Sequence, residues 1–186
     1  DEPDADVVER LAAPAYVTTL ESYPEPLAPT AAARVAGLPT LPLETVVDAV
    51  HTLLQVHDLV LVEGAGGVLV PMGTDDWTVV DLAMALEAPA VVVARAALGT
   101  LNHTGLTRLA LSRRGIRDHL VIGSWPREPE LVHRTNLRDL PPLAGAVPEG
   151  AGTLPGDEFR HKAPEWLNAD LHGRLDTYAF AVMMRR

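Results

Sequence analysis

Asp58-Leu59-Val60-Leu61-Val62-Glu63-Gly64-Ala65-Gly66-Gly67 is the stretch on which the reading of this chain turns. Four apolar residues run without a break into a carboxylate, and the glycines follow at once. A short continuous apolar run fits a strand covered on both faces, as in a parallel sheet. On that reading Glu63 stands at the carboxyl end of a strand, where open α/β sheets place their ligands. The glycines admit close approach of backbone to a ligand, or positive φ. A carboxylate at that point suits Mg²⁺ beside a nucleotide phosphate. The pattern fits equally well a strand followed by a tight turn with Glu63 solvated, and the motif alone leaves both readings open.

The rest of the chain extends the same alternation. Helices are expected over 4–13, 31–36 (closed by Gly37), 44–56, 78–86, about 100–114 (closed by Gly115) and 130–139. Strands are expected at 59–62, 89–94 and 119–123, all buried, with a short edge strand at 143–148 and an extended 68–71. Further helix is expected around 164–175. Strands alternating with helices predict right-handed crossovers and a parallel sheet. The 186 residues are expected to form one α/β domain over 1–186. Pro24, Pro26 and Pro29 stiffen the segment 20–29 into a connector or a pocket wall.

Composition narrows the partners. A net charge of −10 argues against non-specific binding to nucleic acid or an anionic membrane, while leaving room for a local anion site. No apolar run is long enough to cross a bilayer, and no signal peptide is legible, so the expected location is cytoplasmic. There is no cysteine, which removes disulfides, thiolate zinc sites and a cysteine nucleophile. The seven histidines show no metal-binding spacing. Lys162 is the one lysine among the 15 basic residues.

Three loops should share the carboxyl edge of the sheet, after Val62, Ala94 and Ile122. The second, Leu98-Gly99-Thr100-Leu101-Asn102-His103-Thr104, opens a helix whose free N–H groups and dipole can hold an anion. An ordinary strand-to-helix turn reads the same way. The third, Val121-Ile122-Gly123-Ser124-Trp125-Pro126, can edge an adenine slot or plug the sheet end.

Taken together, VEGAGGVLVP (62–71), LGTLNHTGLT (98–107), VIGSWP (121–126) and AVPEG (146–150) resemble the dethiobiotin synthetase family. YPEPLAP (23–29) and Asp4 add weaker likeness, and the match runs over roughly residues 4–159. The resemblance implies a P-loop NTPase-like fold with a three-layer parallel sheet. It implies Mg-ATP-dependent addition of CO₂ to 7,8-diaminopelargonate, phosphorylation of the carbamate and closure of the ureido ring, giving dethiobiotin, ADP and phosphate. Carried over by residue, Asp4 and Glu63 would be metal-side carboxylates that also border the nucleotide. Gly64, Ala65 and Gly66 would line the reacting centre, the first and last beside nucleotide as well. Leu27, Ala28, Pro29, Val68 and Leu69 would border the diamine chain. Thr100, Leu101 and Asn102 would bind its carboxylate across a homodimer interface. Gly123, Ser124, Trp125, Pro148, Glu149 and Gly150 would flank adenine and ribose.

One departure stands out. The family opens with a strand, a GxxxxGK[ST] phosphate loop with its helix, and a second strand bearing a lysine. None of these is among the 186 residues, so no catalytic lysine is assigned. We therefore expect these 186 residues to be part of a full enzyme, a part that by itself would expose apolar surface and hold ATP phosphates poorly. The alternatives are a non-catalytic remnant that keeps a dimer or binding surface, and another P-loop enzyme of the cobyrinate-amidating type.

Overall fold

A computed structural model describes residues 2–184. The chain divides into two compact units. One comprises residues 1–18, 91–106 and 118–186; the other comprises 19–90 and 107–117. The architecture is α/β, with helices flanking a three-stranded parallel sheet. No helix among the described residues is long and apolar enough to cross a membrane.

The first unit carries the sheet. Strands β1 (Ala90–Arg95), β2 (Asp118–Trp125) and β3 (Gly145–Pro148) lie in the order β1-β2-β3. β2 and β3 run parallel, with Val121 opposite Gly145, Ile122 opposite Ala146 and Trp125 opposite Pro148. Leu120, Val121 and Ile122 are buried, so the centre of β2 is the core of this unit. Helix α1 (Asp4–Ala12) has Asp4 and Asp6 at its positive end and Arg10 in its last turn, as the helix dipole favours. It packs on α7 (Gly156–Lys162), where the Gly156 backbone passes so close to the Arg10 carbonyl that a Cβ there would lie 2.2 Å from it.

The chain beyond β3 protects the sheet edge. Leu167 bridges Gly145 antiparallel, the Ala146 N–H bonds the Trp166 carbonyl and the Asn168 N–H bonds the Ala144 carbonyl. An edge strand with free N–H and C=O groups is thereby covered. This also explains why the helix expected over 164–175 is absent. Leu167 and Asn168 are drawn out along β3, and only short 3-10 turns form at Ala163–Glu165 and Ala169–Leu171. The Gly173 backbone then returns against the Leu167 carbonyl, where a Cβ would sit 1.9 Å away. The last helix, α8 (Thr177–Met184), begins later than expected.

The second unit is built on helices. In α2 (Pro29–Ala36), Pro29 occupies a position that needs no N–H, and Gly37 closes the helix at φ +66°. α3 (Leu43–Leu54) buries Val46 and Val50, one turn apart, and contacts α4 (Val79–Ala85). Val46, Met72, Trp77 and Leu82 form its core. The Leu41 carbonyl accepts the Trp77 Nε1–H at 2.8 Å and the Thr74 N–H at 3.0 Å. α5 (Thr100–Ser112) starts in the first unit and ends in the second, with Gly115 at φ +71° beyond its end.

Three expectations are corrected. Residues 59–62 do not form a strand: the sheet consists of β1, β2 and β3, and Leu59, Leu61 and Val62 are exposed. A strand exists by pairing, and among the described residues this apolar run has no strand beside it to pair with. Val68 and Leu69 form a turn rather than an extended run, because the Val70 N–H closes on the Gly67 carbonyl at 3.0 Å. β1 is buried on one face only. Val92 and Ala94 are covered while Val91 and Val93 are 48% and 67% exposed, as alternation on a half-covered edge strand requires.

Two stability tests follow from the second unit. At Gly73 an added Cβ would lie 1.8 Å from the Leu41 carbonyl oxygen and 2.5 Å from Trp77 Nε1. Gly73→Ala should cost about 1–3 kcal/mol by displacing backbone, read as a lowered Tm in thermal melts. Asp81, in the first turn of α4, accepts the Thr78 N–H at 2.9 Å and its hydroxyl at 2.7 Å. These bonds hold its carboxyl below the usual range against the opposing effect of burial, and Arg114 adds a smaller attraction. A depressed carboxylate stabilises above its unfolded-state pKa, and that stability is lost as pH falls through the depressed folded-state value. Asp81→Ala should cost about 1 kcal/mol at neutral pH, and the gap from wild type should close in melts run at strongly acid pH.

Candidate nucleotide and diamine site

The residues singled out in the sequence fall into both units. The first holds Asp4, Thr100–Asn102, Gly123–Trp125 and Pro148–Gly150; the second holds Leu27–Pro29, Glu63–Gly66, Val68 and Leu69.

In the first unit the ends of β2 and β3 are tied into one piece. Trp125 stands opposite Pro148 in the register. The Glu149 N–H bonds the Trp125 carbonyl at 2.8 Å, and the Arg127 N–H bonds Glu149 Oε2 at 3.2 Å. Gly150 turns the chain at φ +82°, and a Cβ there would lie 3.2 Å from Arg127 Nη2. A side chain at Gly123 would lie 2.6 Å from Val93 Cγ1. Trp125, Pro148, Glu149 and Gly150, read from separate motifs, are thus brought together.

The start of α5 is held from below. Asn136, buried in α6 (Leu131–Asp139), donates through Nδ2 to the carbonyls of Ala96 at 2.9 Å and Ala97 at 3.1 Å. Gly99 has φ +93°, a conformation that favours glycine. Thr100 is buried, its hydroxyl 3.3 Å from that of Thr104, and its N–H bonds the Ala97 carbonyl. It therefore serves the packing of the turn, while Leu101 and Asn102 face solvent in the first helical turn. The N–H groups of such a turn lack intrahelical acceptors and attract anions. Asp4, in the first turn of α1, is exposed.

In the second unit Glu63 is an exposed carboxylate leading into the glycine turn. Gly64 lies against the core, where a Cβ would be 2.5 Å from Val79 Cγ2, and Gly66 has φ +84°. Leu27 and Leu69 are exposed and Ala28 precedes the Pro29 start of α2. Among the described residues no three His, Asp or Glu side chains gather as a ready metal cage. Magnesium needs none, since it is usually held by one or two carboxylates together with phosphate and water. The solvent-open Glu63 and Asp4 each fit that demand.

Sequence reasoning missed Asn136, Phe180 and His133. A buried amide bonded to a loop 39–40 residues away leaves no local signal. The Glu130/His133 pair at i, i+3, whose Glu130 N–H bonds His133 Nδ1 at 3.0 Å, was in principle legible as a helix cap.

Residues 2–153 match the family described as an AAA domain. The ATP-dependent dethiobiotin synthetase BioD of Rhodococcus jostii (strain RHA1) is 53% identical over 168 residues, covering 87% of this chain and 73% of the relative. That of Streptomyces avermitilis is 50% identical over 184 residues, covering 96% and 77%. The Streptomyces coelicolor protein of the same name is 49% identical over 183 residues, covering 95% and 77%. With such identity sustained over most of its length, the chain belongs to the ATP-dependent dethiobiotin synthetase family.

Proposed function

We propose that this protein is a dethiobiotin synthase of biotin biosynthesis. In this reading it joins CO₂ to 7,8-diaminopelargonate at the expense of Mg-ATP and releases dethiobiotin, ADP and phosphate. The carrying observation is the 49–53% identity to proteins of that name over 87–96% of this chain. A cytoplasmic homodimer, with the diamine carboxylate bound across the interface, completes the reading.

Each part of the geometry suits a task in that reaction. One amine adds to CO₂, and the carbamate oxygen takes the γ-phosphoryl group from ATP. The second amine then attacks the carbamate carbon and phosphate leaves. Gly64, Ala65 and Gly66 offer backbone without bulk at the reacting centre. Leu27, Ala28, Pro29, Val68 and Leu69 supply an apolar border for the methylene chain. Leu101 and Asn102 present the first turn of α5 to the distant carboxylate, and Thr100 and Asn136 keep that turn in place. Gly123, Ser124 and Trp125 face Pro148, Glu149 and Gly150 around adenine and ribose. Bound Mg²⁺ would neutralise phosphate charge, and Glu63 and Asp4 are each a carboxylate of the kind that could serve it. Such sites work chiefly by positioning and charge stabilisation.

The direct test is dethiobiotin formation from 7,8-diaminopelargonate, bicarbonate and Mg-ATP by the protein as encoded in full. ADP should appear in step with product. A folded protein that forms no product would instead support a binding-only role. Glu63→Gln should lower kcat by about 100-fold or more with the oligomer intact by light scattering; a wild-type rate would remove Glu63 from the metal side. Asn102→Ala should raise KM for the diamine about tenfold and leave KM for ATP unchanged. Equal effects on the two substrates would place Asn102 elsewhere.

A further inference from the structure

Two of the tryptophans are fixed in different ways. Trp77 donates its Nε1–H to the Leu41 carbonyl at 2.8 Å, which locks the ring. Trp125 is 6% exposed, yet its buried Nε1–H has no hydrogen-bond acceptor among the described residues. A buried indole without an acceptor gives up hydrogen-bond energy and gains no orientation from it. Its ring is set by its neighbours alone, and two aromatic rings grip it edge-on. The Phe180 centroid lies 5.6 Å away at 75°, and that of His133 lies 6.5 Å away at 73°. His133 is itself pinned, because its Nδ1 accepts the Glu130 N–H. Phe180 comes from α8, whose first turn is capped by the Asp176 carboxylate on the Ala179 N–H at 2.9 Å. α8 packs on α6, which carries His133.

We infer that Phe180 is a positioning residue for the nucleotide, acting through Trp125. The C-terminal helix closes on the indole, with the fixed imidazole as the second aromatic neighbour, and so sets the plane of the ring at the end of β2. That same end is tied to Pro148–Gly150 by the Glu149 N–H on the Trp125 carbonyl. A displaced indole therefore changes the border of the base site, while the glycine turn and the start of α5 keep their own supports. The inference rests on the assignment of Trp125 to the nucleotide in the proposed function.

The test is steady-state kinetics on the protein as encoded in full, varying ATP and 7,8-diaminopelargonate separately. Phe180→Ala should raise KM for ATP about fivefold, in line with the worth of one aromatic pair. The diamine KM and the kcat at saturating ATP should stay at wild-type values. Phe180→Tyr, which keeps the ring, should restore the ATP KM. Circular dichroism and a thermal melt establish that each variant is folded. If Phe180→Ala does not fold, Phe180→Leu carries the same expectation at smaller size. An unchanged ATP KM in a folded variant lacking the ring would overturn the inference. So would a parallel loss on both substrates, which marks a merely structural role. A wild-type protein without ATP-dependent turnover would overturn the functional reading itself, and this one with it.

Discussion

The bond from the Glu149 N–H to the Trp125 carbonyl is the joint on which the carboxyl ends of β2 and β3 depend. It fastens the ends of two parallel strands, β2 leading to Pro126 and β3 to Gly150. A parallel pair can hold a ligand at its carboxyl end only if the loops that leave it are held in register. Here the register is irregular between Ile122 and Trp125, so the ladder alone does not fix it. The Glu149 carboxylate on the Arg127 N–H supplies the second tie. The outer edge of β3 is secured in turn by Leu167, so the tail stabilises the strand that carries Pro148.

The second unit solves a different problem with one acceptor. The Leu41 carbonyl takes both the Trp77 indole N–H and the Thr74 N–H, and the Gly73 backbone passes within a distance no side chain would permit. This holds the chain between the glycine turn and α4 close to α3. Gly64 shares the constraint, because its missing side chain leaves space that Val79 fills. The glycines after Glu63 are thus partly a packing requirement.

Much of this was legible in the sequence, for physical reasons that differ by element. α2, α3, α4, α5 and α6 were readable because amphipathic spacing and glycine stops are local signals, as Gly37 and Gly115 show with their positive φ. β1, β2 and β3 were readable as apolar runs set between helices. The run 59–62 carried the same signal and did not become a strand, because strand formation is decided by a neighbour and not by the residues themselves. The tail failed for a related reason: Leu167 and Asn168 are extended only because β3 offers them an edge. At the site, motif residues such as Trp125 and Glu149 were visible, but their mutual bond was not. Thr100 was read as a ligand contact from its place in the motif. It is buried with its hydroxyl beside that of Thr104, while its neighbours Leu101 and Asn102 are exposed, a difference that a linear motif does not show.

At the start of α5 the groups on offer to an anion are backbone N–H groups. The chain carries −10 overall, and none of the residues assigned to substrate or nucleotide is cationic. An approaching polyanion is repelled at long range, but at physiological ionic strength that repulsion fades over about 8 Å. Within that distance the local dipoles decide. The first turn of α5 presents N–H groups at the positive end of a 13-residue helix, held by Asn136 through two carbonyls. A lysine in that place would add charge on a mobile stem, whereas a helix turn fixed by a buried amide adds direction. On the functional reading, direction is what the diamine needs, because its carboxylate must be held at one distance from the amines that react.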